Sequence, residues 1–100
     1  MVHTITEKNF EEKVLNAEAT VLLDFWAGWC GPCRMMSPVV DELAQERPDV
    51  LVGKVNVDEE TALAEKFNIL SIPTFVVVKK GEVVKQISGV RPKALLEEML

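Results

Sequence analysis

The stretch Trp26-Ala27-Gly28-Trp29-Cys30-Gly31-Pro32-Cys33 joins two apolar patterns of different period, one of a strand and one of a helix. Before it, Val21-Leu22-Leu23-Asp24-Phe25-Trp26 is apolar at every position but Asp24, as expected of a strand covered on both faces. After it, Met36, Val39, Val40 and Leu43 follow the i, i+3, i+4, i+7 spacing of a helix with one buried face. Pro32 suits the first turn of that helix. Pro38 falls inside it, where it removes an amide donor and crowds the carbonyl of Arg34, so a kink is expected. Pro48 and Asp49 close the segment.

Towards the N-terminus, Thr6 reads as the N-cap of a helix reaching Asn16, with Phe10, Val14 and Leu15 as its apolar positions. Leu51 to Val57 alternates apolar and polar residues, a strand. Glu60 to Phe67 is helix-like, with Ala62, Leu63 and Phe67 on its apolar side. Thr74 to Val78 is strongly β-forming, Lys80-Gly81 supplies a turn, and Val83 to Ile87 returns as the second strand of a hairpin. Pro92 opens a last helix to Leu100, with Leu95, Leu96 and Met99 apolar. The order βαβαβαββα predicts an α/β fold whose sheet is mixed because of the terminal hairpin.

A length of 100 residues argues for one domain over 1–100. Such a chain buries roughly two-thirds of its unfolded surface, enough for a core without staples. Hydrophobic residues at 48% and charged residues at 27% exclude disorder, and there is neither a repeat nor a low-complexity segment. The net charge of -5 speaks against nucleic-acid binding, which needs clustered Lys and Arg. Met1-Val2-His3-Thr4-Ile5-Thr6-Glu7-Lys8 has no secretory pattern, and every apolar run is far shorter than a membrane span. A cytoplasmic location is therefore expected.

Two cysteines are too few for a disulfide framework. Their Cys-x-x-Cys spacing points to redox or to metal chemistry. A zinc site needs about four ligands, and beyond the pair only His3 and scattered carboxylates remain, so redox chemistry is favoured. A thiolate is the attacking species in disulfide exchange. Cys30 at a helix N-terminus would be held ionised by unpaired amides and the helix dipole. Cys33, with two residues intervening, can reach Cys30 intramolecularly and so resolve a mixed disulfide, and its thiol is expected to be the more buried. Asp24 stands out as a carboxylate in a buried strand, where desolvation raises its pKa; alternatively it lies at a strand end and reaches solvent or an amide.

The eight-residue block together with Asp24-Phe25-Trp26, Lys54-Val55-Asn56-Val57-Asp58, Ile72-Pro73-Thr74, Gly81 and Gly89 resembles the thioredoxin family over essentially the whole chain. The resemblance implies a five-stranded sheet with flanking helices and a redox dithiol at the start of the second helix. It implies that Cys30 is nucleophile and Cys33 resolving thiol, that Gly31-Pro32 tunes the potential towards the reductant end, and that Asp24 exchanges a proton with Cys33 under the influence of Lys54. It also implies a cis bond before Pro73 and a substrate-binding rim of Trp29, Ile72, Pro73 and Gly89, with the Ile72 backbone pairing to an extended client segment. The chain departs from the family at Gly28, where many relatives carry a side chain, and at Arg34, where lysine is common; both lie at the implied contact surface.

Trp26 reads as core packing, Met35-Met36 as core filler or a soft patch beside the dithiol, His3 as an idle surface residue, and the acidic runs as solvated faces. The leading expectation is a protein-disulfide reductase, monomeric, acting on disulfide-containing client proteins and re-reduced by a thioredoxin reductase, with no metal and no cofactor besides the Cys30–Cys33 pair. An oxidase or isomerase on the same fold is disfavoured by Gly-Pro and by the lack of an export signal. A binding module built on the surface around Trp29, Ile72 and Gly89 is the third reading.

Overall fold

The computed structural model describes residues 1–100. Its elements run β1 (Val2–Thr4), a wide helical turn (Glu11–Leu15), β2 (Thr20–Trp26), α1 (Gly31–Glu46), β3 (Val50–Asn56), α2 (Thr61–Lys66), β4 (Thr74–Lys79), β5 (Glu82–Ser88) and α3 (Lys93–Met99). One sheet in the order β1-β3-β2-β4-β5 carries them all. β1 and β2 are parallel to β3, β4 is antiparallel to β2, and β5 is antiparallel to β4. The sheet is thus mixed because of the hairpin, as the sequence order predicts. Lys80 and Gly81, both with positive φ (50° and 80°), make that turn, the backbone shape that matches the twist of a two-residue hairpin.

The two faces of β2 serve two cores, because side chains alternate along a strand. Val21, Leu23 and Phe25 join Ile5, Phe10, Val14, Leu63, Phe67, Val76 and Val78 under the wide turn and α2. Leu22 on the other face joins Met36, Val40, Leu43, Val52, Phe75, Val77 and Leu96 under α1 and α3. Lys93 ties α3 to α1 through Glu42 and Glu46 at 2.5 and 2.9 Å.

Some expectations fail locally. The helix expected from Thr6 to Asn16 is reduced to Glu11–Leu15, closed by an Asn16 N–H bond to the Glu11 carbonyl at 2.9 Å. Thr6 nonetheless keeps the N-cap role expected of it. Asn9 Oδ1 accepts from the Thr6 amide at 2.8 Å, Thr6 Oγ1 accepts from the Asn9 amide at 3.3 Å, and Asn9 Nδ2 donates to the Thr4 carbonyl at 2.9 Å. The reciprocal Thr6 and Asn9 bonds are those of a capping box, which opens the turn that widens at Glu11. Leu15 and Ala62 face solvent instead of the core. Pro92 caps α3 instead of lying within it.

Candidate redox site

Asp24, Cys30 and Cys33 meet where β2 ends and α1 begins. Cys30 is the N-cap of α1, with extended backbone, and its sulfur accepts the Cys33 amide at 3.2 Å. Pro32 follows in the first turn, where its missing N–H leaves nothing unsatisfied. Cys30 and Cys33 are joined as a disulfide, with their Cα atoms 5.2 Å apart. The Cys30 sulfur lies 3.9 Å from the Ile72 carbonyl. Cys30 and Cys33 are 4% and 5% exposed, so burial does not separate them as expected. What separates them is the amide, which one sulfur receives and the other does not.

Ile72–Pro73 is a cis peptide, as the resemblance implies, and it lies beside the disulfide. Gly89, with φ 93°, donates its N–H to the Pro73 carbonyl at 2.8 Å. An open apolar groove of about 370 Å³ adjoins the loop, lined by Trp29, Val57, Ala64, Ile69, Leu70, Ser71 and Ile72. Trp29 is 69% and Leu70 88% exposed, while the Trp29 indole N–H donates to Asp58 at 2.9 Å and fixes the ring. The groove includes Trp29 and Ile72 but not Gly89, which reaches the site through Pro73. Sequence reasoning missed Leu70 and Ile69; the signal was an apolar pair in a loop just ahead of Ile72-Pro73.

Asp24 is 2% exposed. It pairs in register with Lys54 on β3 and Phe75 on β4. The strand-end reading therefore fails: this carboxyl sits inside the sheet. Its Oδ1 has no hydrogen-bonding partner in the protein. Burial pushes its pKa from 3.8 up to about 7, the Lys54 ammonium pulling it back in part and the Asp41 charge adding to the rise. A recess of about 280 Å³ connects it to Cys33 and Lys54, with Trp26, Ala27, Gly28, Arg34 and Ser37 completing the wall. Trp26 is half-buried and packs on the disulfide, so it belongs to the site and not to the main core. Arg34 donates to the Gly28 carbonyl at 2.9 Å, bracing the loop ahead of Cys30. Met36 is core and Met35 is exposed, which divides the pair.

No helix is long and apolar enough to cross a membrane. No group of three or more His, Cys, Asp or Glu side chains is placed to hold a metal ion. A paired dithiol at a helix N-terminus, on a five-stranded sheet with helices on both faces, defines a thiol–disulfide oxidoreductase. The thioredoxin family model matches residues 1–100. Thioredoxin of Alicyclobacillus acidocaldarius is 48% identical over 98 residues, covering 97% of this chain and 92% of the relative. Thioredoxin of Porphyra purpurea is 45% identical over 100 residues, covering 99% and 94%. Thioredoxin of Listeria monocytogenes is 46% identical over 101 residues, covering 100% and 96%. The chain belongs to the thioredoxin family.

Proposed function

We propose that this chain is a one-domain electron carrier that reduces protein disulfides, with Cys30 attacking and Cys33 releasing. The observation that carries this reading is the Cys33 amide on the Cys30 sulfur at 3.2 Å, at the N-terminus of a 16-residue helix. In the reduced state the same amide and the helix dipole favour thiolate over thiol at Cys30. That thiolate attacks one sulfur of a client disulfide, forms a Cys30–client disulfide and expels the second client sulfur as thiolate. The Asp24 carboxylate takes the Cys33 proton. The Cys33 thiolate then attacks the Cys30 sulfur, forming the Cys30–Cys33 bond and expelling the first client thiolate. Two electrons pass from the dithiol to the client.

A carboxyl that titrates near 7 suits this exchange at neutral pH, and the recess between Asp24 and Cys33 has room for water to carry the proton. Lys54 modulates it from the neighbouring strand. Gly31 and Pro32 tune the potential. The exposed Trp29 ring, Ile72, Pro73 and Gly89 receive the client, with the Ile72 backbone free to pair with an extended segment. The carrier works in the cytoplasm as a monomer without metal or bound cofactor, and a thioredoxin reductase returns it to the dithiol. Insulin reduction by dithiothreitol, followed by turbidity, tests the activity: catalytic amounts of the protein should accelerate precipitation. A rate equal to that of the reagent alone would refute it.

A further inference from the structure

We propose that Ser37 and Asp41 are positioning residues that hold the Lys54 ammonium on the helix side of the recess and so decide how much of its charge reaches Asp24. The proposal rests on the reading of Asp24 as the proton-exchange group only for its functional consequence.

Cys33, Ser37 and Asp41 are spaced i, i+4, i+8 along α1, and so lie on one stripe of the helix. That stripe overlooks Lys54. Lys54 Nζ donates to Ser37 Oγ at 2.8 Å and lies 3.9 Å from Asp41 Oδ1. Lys54 is also the register partner of Asp24, on the same face of the sheet and lining the same recess. An ammonium on a flexible four-carbon stem can turn to any of these three groups, and a buried carboxyl with an unpartnered oxygen is the strongest electrostatic attractor when ionised. The observed arrangement takes Ser37 and Asp41 instead. The Asp41 pair is half-exposed and longer, so it contributes weakly. The Ser37 hydroxyl is the firmer anchor.

The other charged groups around Asp24 do not substitute for this device. From α1, Arg34 lines the recess but is committed to the Gly28 carbonyl. Cys33, from the same helix, is in the disulfide and does not titrate in this state. From β4, every residue from Thr74 to Val78 is uncharged. Lys54 is thus the cation that reaches Asp24, with Asp41 as the opposing charge.

The sign follows. Ser37→Ala releases Lys54 towards Asp24, so the carboxylate is better stabilised and its pKa falls. Asp41→Asn does the same and also removes a like charge. Lys54→Met acts in the opposite direction. The test is a ¹³C titration of the Asp24 carboxyl carbon in the disulfide form, with the pH profile of insulin reduction measured on the same variants. Ser37→Ala and Asp41→Asn should each lower the Asp24 pKa by about 0.5, roughly a threefold change in the protonation constant. In a Lys54→Met background, Ser37→Ala should do nothing, an outcome that a packing role for Ser37 does not produce. An Asp24 pKa unmoved in both single variants, or a Ser37→Ala effect that persists without Lys54, overturns the proposal. A pKa that moves while the pH profile stays fixed supports the positioning and refutes the proton-exchange role of Asp24.

Discussion

The layer between the sheet and α1 has two halves made from the same elements. In one, Leu22, Val52, Phe75 and Val77 of the sheet meet Val40, Leu43 and Ala44 of the helix, and every side chain is apolar. In the other, one step further along the same strand faces, Asp24 and Lys54 meet Cys33, Ser37 and Asp41. The step is two residues, because side chains on one face of a strand recur at that period: Leu22 to Asp24 on β2, Val52 to Lys54 on β3. The apolar half stabilises the fold by excluding water. The polar half leaves a carboxyl oxygen without a partner, which destabilises the ionised form and moves its titration up to about 7.

Variants in the two halves should therefore fail in different ways. Cys30→Ser should abolish insulin reduction, a loss on the order of a thousandfold or more for a missing nucleophile, while the urea unfolding midpoint of the reduced protein moves little. Phe75→Ala, on the apolar side, should lower unfolding free energy by about 3–5 kcal/mol in urea titrations, with residual activity tracking the folded fraction.

Asp24→Asn should do the reverse of Phe75→Ala. The unfolded carboxyl loses its proton near 3.8, whereas the folded one keeps it to about 7. Between those values the folded state binds more protons, so stability falls as pH rises and levels off above about 7. The Asn variant should be more stable than the parent by on the order of 2–4 kcal/mol at pH 8. The two should be equal near pH 3, as read from urea midpoints at both pH values. Disulfide exchange at neutral pH should meanwhile slow. Trp29→Ala should have the smallest effect: a few-fold rise in the KM for a protein disulfide, with stability changed by no more than about 0.5 kcal/mol for so exposed a residue.

The parts legible in the sequence are those with a single strong period or a fixed backbone shape. The apolar run ending at Trp26, the alternation from Leu51, and the Lys80-Gly81 hairpin all became strands within a residue or two of expectation. Asp24 was legible because a charge in such a run is an anomaly whatever surrounds it. The segment from Thr6 was legible only in part: its cap and apolar spacing are helical, but the wider i to i+5 bond from Asn16 to Glu11 leaves no mark in residue spacing. Ser37 and Asp41 were invisible for another reason. A serine and an aspartate on a helix read as solvated until a lysine from another strand is seen to turn towards them. Leu70 was likewise passed over, since a short apolar pair such as Ile69-Leu70 is ordinary, and only its place in the groove with Trp29 and Ile72 gives it meaning.

The proposed division of labour between the two sulfurs rests on the bond from the Cys33 amide to the Cys30 sulfur. Peptide mapping of mixed disulfides measures it directly, after Cys33→Ser and Cys30→Ser variants have been incubated with a disulfide-containing client. The Cys33→Ser variant should accumulate client joined to Cys30, and the Cys30→Ser variant should hold almost none. Equal capture through Cys33 in the absence of Cys30 would show that the two sulfurs do not divide the work.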